Sequence, residues 1–291
     1  MRKTRENSDY LPNLKLPDSV TVTHELRDCV HADLLVFVTP STVLRTIAMR
    51  LKGALGKGQA VLLSCTKGIE HGTGMRMSEI LGKIFPDHAV AVLSGPNLAA
   101  EVVRNVPTAT VIACRDPECA ADLQGFLGSS RFRIYTTEDV TSVELGGALK
   151  NVFAIAAGAS DGLGLGDNTK AALVTRSLAE LIRLGSAMGG NFRTFYGLSG
   201  VGDLIATCFS RHSRNRRIGE HLGRGQTLQQ ITSTMQVAEG IPTAKSAYEC
   251  ARKINIDTPI TDQVYALLYE EKTPAQAMQD LLERDQKAEQ F

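Results

Sequence analysis

Lys150 is the residue of this sequence best suited to acid–base chemistry. It is the only charged residue within residues 145–157, a run that is apolar on nearly every side of a helix and therefore typical of a buried helix. Glu144, the nearest carboxylate in the sequence, is six residues away and points elsewhere. A buried lysine is costly unless something charged meets it. Its small neighbours Gly147 and Ala154 leave space for a substrate, and the alternative is a lysine whose ammonium reaches the surface.

A basic stretch at residues 210–217 holds four arginines in eight residues. The usual interpretation of such a charge run is a solvated helix face. The sharper hypothesis is a phosphate site, because Ser213, Arg214 and Asn215 would open a helix whose N–H groups and dipole attract an anion. Arg214 would add a two-pronged donor, and the small size of the cluster suits one phosphate better than a nucleic-acid track.

Three further polar segments could contact a ligand. Asp203 ends the glycine-rich residues 197–202, and its ordinary interpretation is a helix N-cap worth about 1 kcal/mol. Residues 66–68 and residues 94–97 each follow a predicted strand. Ligands of open α/β sheets bind at the carboxyl ends of strands, although glycine and proline there are also ordinary loop residues.

Length and composition narrow the classes of protein. The 291 residues are enough for two domains, and 43% hydrophobic residues supply real cores. The net charge of +1, from 32 basic and 31 acidic residues, excludes a globally basic nucleic-acid binder. The six cysteines form no Cys-x-x-Cys pair, so we expect no disulfide framework and a reducing cytoplasm. We also expect neither a membrane span nor a secretory signal.

Strands and helices alternate in the first half of the chain. The sequence predicts strands at 20–23, 34–38, 60–64, 89–93 and 108–113, with helices at 41–54, 74–84 and 116–127. Short apolar strands separated by helices indicate a parallel sheet covered on both faces. From residue 143 onward only helices are predicted, including 213–222, 227–235, 243–254, 261–271 and 274–284. We therefore expect an α/β domain over residues 1–140 and an all-helical domain over residues 141–291.

An α/β domain that binds a dinucleotide has a G-x-G-x-x-G turn after its first strand, and this sequence has none. Residues 162–166 have the wrong spacing and follow a helix. Residues 1–7 are predicted as the end of a helix and residues 10–17 as a loop, so we expect a Rossmann-type sheet truncated at its N-terminus. The strand at 34–38 would become an exposed apolar edge. The chain from Met1 would then be poorly soluble, and it would bind a dinucleotide much more weakly than a form that carries the first βαβ unit, or not at all.

Seven stretches, taken together and in order, resemble bacterial-type NAD(P)-dependent glycerol-3-phosphate dehydrogenase. They are Lys67-Gly-Ile-Glu, Leu93-Ser-Gly-Pro-Asn-Leu-Ala-Ala-Glu101, Val143-Glu-Leu-Gly-Gly-Ala-Leu-Lys-Asn-Val, Asp161-Gly-Leu-Gly-Leu-Gly-Asp-Asn168, Gly200-Val-Gly-Asp-Leu204, Ser213-Arg-Asn-Arg-Arg217 and Glu239-Gly240. The resemblance extends from residue 1 to about the end of the chain. The sequence departs from the family at Asn97, where a hydroxyl residue is usual, although an amide can still hydrogen-bond a polyol.

The resemblance implies a role for each matching residue. Lys150 would be the catalytic proton donor and acceptor, and Asp203 would orient its ammonium. The implied substrate contacts are Lys67, Gly95, Asn97, Asp203, Ser213, Arg214 and Asn215. The implied contacts with NAD or NADP are Lys67, Ala99, Arg214, Val237 and Glu239. Residues 1–140 would bind the dinucleotide and residues 141–291 would provide substrate binding and catalysis. A homodimer is the assembly to consider.

The implied reaction is the interconversion of dihydroxyacetone phosphate and sn-glycerol 3-phosphate in the cytoplasm, which supplies glycerophospholipid synthesis. Two other hypotheses stay open at this point. One is a truncated, non-catalytic remnant that binds phosphorylated three-carbon compounds. The other is a complete enzyme whose reading frame begins upstream of Met1.

Overall fold

A five-stranded sheet followed by a group of helices forms most of the chain in a computed structural model, which describes residues 1–56, 58, 60–235, 238–286 and 288–289. The strands are β1 (Glu6–Asn7), β2 (Leu11–Lys15), β3 (Leu34–Phe37), β4 (Val61–Ser64), β5 (Val90–Ser94), β6 (Thr108–Cys114) and β7 (Phe132–Thr137). The helices are α1 (Leu44–Leu51), α2 (Met77–Ile84), α3 (Ala99–Val102), α4 (Pro117–Leu127), α5 (Val140–Gly162), α6 (Gly166–Ala187), α7 (Asp203–Phe209), α8 (Arg214–Gly223), α9 (Leu228–Thr234), α10 (Gly240–Lys253), α11 (Pro259–Tyr269) and α12 (Pro274–Leu282). Shorter 3₁₀ turns lie at Leu26–Cys29 and Thr194–Tyr196, and a π-helical turn lies at Leu198–Gly202.

The sheet has the strand order β3-β4-β5-β6-β7. Neighbouring strands are parallel except for β5 and β6, which pair antiparallel, with Ala91 opposite Cys114. The prediction of a wholly parallel sheet was therefore wrong at this pair. A parallel connection needs a crossover along the sheet, usually a full helix. The connection from β5 to β6 holds only the single turn α3, so the chain reverses direction.

The predicted α/β domain of Rossmann type, followed by helices, is confirmed. The central strands β4 and β5 are almost wholly buried, as continuous apolar runs in a covered sheet should be. Helices α1 and α2 pack with Leu62 on one side, and α4 packs with Leu63 on the other. At one end of the described sheet, Val36 and Val38 of the β3 region are exposed, as expected for an apolar edge.

The first 23 residues differ from the prediction. The segment at 20–23 is not a strand, because the side chains of Arg5 and Arg2 donate to the carbonyl oxygens of Val20 and Val22 that a neighbouring strand would otherwise use. Residues 1–7 do not end a helix, and residues 10–17 are not all loop. Instead, β1 and β2 form an antiparallel hairpin.

Strand β7 was not predicted. Within this edge strand only Ile134 is buried and Phe132 is partly buried, so it has no continuous apolar run like those of β4 and β5. After β7, the described residues are helical or irregular, as predicted. Among the described residues, none of the helices combines the length and apolar composition that crossing a membrane requires.

Helix α5 is the centre of the helical region, and nearly all of its residues are buried. Glycines allow α8 to approach it at backbone distance. A Cβ atom at Gly158 would lie 1.9 Å from the Arg216 carbonyl oxygen, and one at Gly219 would lie 1.9 Å from the Ile155 carbonyl oxygen. The N-terminal end of α8 is therefore fixed against the middle of α5, close to Lys150.

Candidate active site

The candidate site lies where the carboxyl ends of β4 and β5 meet α5 and α7. Lys67 follows β4, and Gly95 follows β5 with a φ angle of 150°. The Lys67 Nζ donates to the Gly95 carbonyl oxygen at 3.0 Å and to Asp203 Oδ2 at 2.6 Å. The edge of the sheet is thereby joined to α7 through a single lysine.

Lys150 reaches the same carboxylate from α5. Its Nζ donates to Asp203 Oδ1 and to Thr207 Oγ1, each at 2.7 Å. Lys150 is 6% exposed and Asp203 is 2% exposed, so the alternative of a lysine that reaches the surface was wrong. The predicted meeting of Lys150 with a charged partner is present, and that partner is Asp203.

Asp203 is the first residue of α7, directly after the π-helical turn at Leu198–Gly202. Its side chain does not cap the helix, because both carboxylate oxygens face the two lysines. The N-cap interpretation of Asp203 was therefore wrong. Thr207, one turn later on the same helix, accepts from Lys150 and donates to Asp203 at 3.2 Å. Thr207 was not predicted, although its four-residue spacing from Asp203 places both residues on one helical face.

Burial and neighbouring charges set the ionisation of Lys150 and Asp203. Burial lowers the pKa of Lys150 to about 8; the Asp203 carboxylate acts against this shift, and the Lys67 ammonium adds to it. Burial opposes ionisation of Asp203, but the attraction of Lys150 and Lys67 outweighs it, so the pKa of Asp203 lies below its ordinary value. Asp203 is therefore ionised at neutral pH, and Lys150 can give up or take a proton close to working pH.

Gly147, about one helical turn before Lys150, allows close packing. A Cβ atom at Gly147 would lie 2.3 Å from Ser94 Oγ and 3.5 Å from Lys67 Cδ. The space that Gly147 was expected to leave for a substrate is thus occupied by the edge of the sheet. Gly147 lets α5 come close enough for Lys150 and Lys67 to share one carboxylate.

The basic stretch opens α8 as predicted. Ser213 is the N-cap, and its Oγ accepts from the Arg216 N–H at 3.2 Å. Arg214 is the first helical residue, and it is exposed. Asn215 is buried and points inward, where its Nδ2 donates to Asn151 Oδ1 at 2.9 Å. Asn151 directly follows Lys150, so this bond fixes the start of α8 beside the lysine.

Asn151 is a second site residue that was not predicted. Asn151 belongs to the stretch at residues 143–152, but no local pattern predicts that it pairs with Asn215, which is 64 residues further along the chain. Asn215 Oδ1 accepts from the Gly240 N–H at 2.9 Å, which links α5, α8 and α10. Glu239, one residue earlier, accepts from the Ser41 N–H at 3.0 Å and from its hydroxyl at 2.5 Å. The predicted cofactor contact Glu239 therefore joins α10 to the carboxyl end of β3.

The other predicted contacts lie around the same edge. Asn97 Nδ2 donates to Thr110 Oγ1 at 3.4 Å, and no described hydrogen bond brings Asn97 to Lys150. Ala99 begins α3 and is exposed. Val237 lies outside the described residues.

Buried oxygen atoms without partners cluster at the carboxyl ends of the parallel strands. Thr39 Oγ1, Ser64 Oγ, Ser94 Oγ and Asn97 Oδ1 have no hydrogen-bond partner among the described residues. Such atoms are costly unless a ligand or water satisfies them. With the two lysines and the α8 N-terminus, they make this edge suited to a polar, anionic ligand.

Comparisons with known proteins agree on one family for both halves of the chain. The family model for the NAD-dependent glycerol-3-phosphate dehydrogenase N-terminus matches residues 1–120, and the model for the C-terminus of the same enzyme matches residues 139–279. A glycerol-3-phosphate dehydrogenase (NAD(P)+) of Geobacter sulfurreducens is 47% identical over 296 residues, which cover 100% of this chain and 88% of that protein.

Two further relatives support this result. A glycerol-3-phosphate dehydrogenase (NAD(P)+) of Desulfitobacterium hafniense is 45% identical and covers 99% of this chain and 82% of its own length. The crystal structure of glycerol-3-phosphate dehydrogenase from Coxiella burnetii has a TM-score of 0.94 and 37% identity. Its alignment covers 98% of this chain and 87% of that chain.

Proposed function

The chain belongs to the NAD-dependent glycerol-3-phosphate dehydrogenase family, and on that basis we propose that it interconverts dihydroxyacetone phosphate and sn-glycerol 3-phosphate with NAD or NADP. The observation that carries the proposal is the buried Lys150, hydrogen-bonded to Asp203 at 2.7 Å where the sheet edge meets the helices. The comparisons offer no support for the alternative of a non-catalytic remnant.

Lys150 is the proton donor for carbonyl reduction in this proposal. Its ammonium gives a proton to the carbonyl oxygen of dihydroxyacetone phosphate, and in the reverse direction its neutral amine takes the proton of the alcohol. A positioned acid contributes roughly 10²–10⁴-fold to such a step. Asp203 keeps the ammonium oriented, and Thr207 accepts one of its hydrogens. The Lys67 ammonium binds the other oxygen of the Asp203 carboxylate, so the substrate oxygen lies in a positive field.

The substrate phosphate would bind at the start of α8. Ser213 caps this helix, and the first-turn dipole favours an anion. Arg214 would contribute a bidentate, charge-assisted contact. Asn215 is held by Asn151, which directly follows Lys150 on α5. Adjacent residues of α5 would therefore position the phosphate-binding end of α8 and supply the proton donor. Gly95 and Asn97, at the end of β5, would contact the remaining polyol oxygens.

The residues present fit a nicotinamide dinucleotide. The unpartnered oxygens at the carboxyl ends of β3, β4 and β5 lie where ligands of open α/β sheets bind. Lys67, Ala99, Arg214 and Val237 would hold the cofactor, and Glu239 would do so while its carboxylate fixes Ser41. When bound, the nicotinamide supplies or takes up the hydride.

The wider context of the reaction is part of the same proposal. Residues 1–140 would form the dinucleotide-binding domain and residues 141–291 the substrate and catalytic domain. The enzyme would act in the cytoplasm as a homodimer on a small-molecule substrate. Its product would supply glycerophospholipid synthesis.

The test is turnover by the purified full chain. Consumption of NADH and NADPH is followed at rising dihydroxyacetone phosphate for the parent, Lys150→Met and the control Lys52→Met, whose lysine is exposed at the end of α1. We expect substrate-dependent oxidation by the parent and the control, and a loss of at least about a hundredfold for Lys150→Met. Turnover of Lys150→Met within about threefold of the parent would remove Lys150 from the proposed mechanism.

A further inference from the structure

A second buried cluster of charges lies beside the candidate site, and the proposed reaction does not use it. Asp161 Oδ2 accepts from Lys170 Nζ at 2.8 Å and from Arg216 Nε at 2.6 Å. Lys170 is 7% exposed, and the Arg216 side chain is 16% exposed. Asp161 thus pairs with two largely desolvated cations, of which Arg216 has a second partner in Glu220 at 3.3 Å. Removing the charge of Asp161 would leave the buried Lys170 ammonium without this counter-charge.

The cluster connects the helices that build the site. Asp161 is at the end of α5, the helix that carries Lys150, and Lys170 is in the second turn of α6. Arg216 is in the first turn of α8, and its backbone N–H is the one that caps onto Ser213. The Lys170 ammonium also lies 4.6 Å from the ring centre of Phe209, the last residue of α7.

The position of Cys208 shows how close the two clusters are. Cys208 is buried on α7, one residue after Thr207. Burial raises the pKa of its thiol to about 12, while the ammonium groups of both Lys150 and Lys170 act to lower it. Lys150 bonds to Thr207 and the Lys170 ammonium lies over Phe209, so both clusters contact the same turn of α7.

Close packing and polar bonds together hold the start of α8. The glycine contact at Gly158 sets how closely α8 approaches α5. Asn215, in the first turn of α8, then donates to Asn151, the residue after Lys150, at 2.9 Å. Arg216, the next residue of the same turn, adds a charged bond from its Nε to Asp161 at 2.6 Å, so the turn that begins with Arg214 is held to α5 at a second point.

We propose that Asp161 is a positioning residue that fixes the phosphate-binding end of α8 relative to Lys150, through Arg216, and relative to α7, through Lys170. This inference rests on the proposed function. Asp161 touches neither the substrate nor the proton in transfer. Its effect is on the recognition of the phosphate, and the proton step is unchanged.

The experiment compares phosphorylated and unphosphorylated ligands. Asp161→Asn keeps the shape of the side chain and removes its charge. Arg216→Gln removes one donor and leaves Asp161 paired with Lys170, so no buried charge is left alone. The control Arg284→Gln removes an exposed ion pair with Asp257, which shares no partner with the Asp161 cluster. Turnover is measured with dihydroxyacetone phosphate and with dihydroxyacetone, and binding of sn-glycerol 3-phosphate and of glycerol is measured by calorimetry.

Both variants should raise the KM for dihydroxyacetone phosphate at least about tenfold and weaken the binding of sn-glycerol 3-phosphate to a similar degree. Their kcat/KM for dihydroxyacetone, and the pH above which that kcat/KM falls, should match those of the parent. Arg284→Gln should match the parent in every measurement. If Arg216→Gln lowers kcat/KM equally for dihydroxyacetone phosphate and dihydroxyacetone, Asp161 contributes only general stability and the inference is overturned. The inference is also overturned if both variants keep the parent's preference for the phosphorylated substrate. A parent that neither binds nor turns over three-carbon phosphates would overturn the proposed function as well.

Discussion

Asp203 lies 53 residues beyond Lys150 in the chain, yet its Oδ1 accepts a hydrogen bond of 2.7 Å from the Lys150 ammonium. The same carboxylate binds Lys67 through its other oxygen at 2.6 Å. Lys150 therefore has one neighbour that stabilises its charged form and one that destabilises it. These opposite influences make the proton affinity of Lys150 adjustable in both directions.

The first prediction uses these two neighbours. Carbonyl reduction requires the Lys150 ammonium, so kcat/KM for dihydroxyacetone phosphate should fall as pH rises through about 8, the pKa of Lys150. Asp203→Asn removes the charge that raises this pKa, so the basic limb should move to lower pH. Lys67→Met removes the charge that lowers it, so the limb should move to higher pH. Shifts in the same direction for both variants, read from pH–rate profiles, would contradict this electrostatic account.

The second prediction concerns phosphate recognition by Arg214. Arg214→Ala should raise the KM for dihydroxyacetone phosphate far more than the KM for dihydroxyacetone, since the loss of a charge-assisted bidentate contact costs about 1.5–3 kcal/mol. Steady-state kinetics with the two substrates measure this difference, and Arg211→Ala, an exposed arginine of the same basic stretch, is the matched comparison. If Arg214→Ala affects both substrates equally, Arg214 belongs to a solvated helix face.

Local sequence pattern was enough to identify Lys150 but not its partners. A lone charge in an apolar helix requires a counter-charge wherever the helix is buried. Which counter-charge it meets depends on tertiary packing, here on the glycine at 147 and the turn before α7. Thr207 could have been inferred from its spacing to Asp203. The bond from Asn215 to Asn151 could not, because amides at distant positions carry no pattern.

The same division applies to the fold. Buried strands such as β4 and β5 are continuous apolar runs, so composition alone located them. The half-exposed edge strand β7 and the hairpin of β1 and β2 have no such run, and both were missed. The antiparallel pairing of β5 and β6 follows from the geometry of their connection, which a list of predicted elements does not contain.

The third prediction concerns Glu180, a buried carboxylate outside the candidate site. It is 1% exposed and accepts from the N–H groups of Ile260 and Thr261 at the start of α11, each at 2.8 Å. Burial raises its pKa to about 7, above the ordinary value in an unfolded chain. The folded state therefore binds this proton more tightly, and the stability that it contributes at low pH is lost as pH rises towards 7.

Glu180→Gln cannot ionise, so the free energy of unfolding of the parent minus that of the variant should fall between about pH 4 and pH 8. The fall should be at most about 3 kcal/mol. Urea unfolding at a series of pH values measures this difference. A difference that is constant or that grows with pH would show that Glu180 is ionised throughout in the folded protein.

The fourth prediction tests the packing of α8 on α5. In Gly158→Ala the new Cβ atom would lie 1.9 Å from the Arg216 carbonyl oxygen and 2.9 Å from the Glu220 nitrogen, and both are backbone atoms of a helix that cannot move independently. We expect a loss of about 1–3 kcal/mol in the free energy of unfolding, because overpacked helices must separate. The matched control is Gly125→Ala on the exposed side of α4, where a Cβ atom meets nothing within 4 Å. That change should stabilise the helix by about 0.5–1 kcal/mol.

Separation of the two helices would also have a kinetic effect. It would lengthen the bond between Asn215 and Asn151, which fixes the start of α8 beside Lys150. Gly158→Ala should therefore raise the KM for dihydroxyacetone phosphate at a temperature where the variant is still folded, and Gly125→Ala should leave it unchanged. Equal stability and equal KM for Gly158→Ala and the parent would mean that α8 reaches the site without close contact with α5, contrary to the geometry at Gly158.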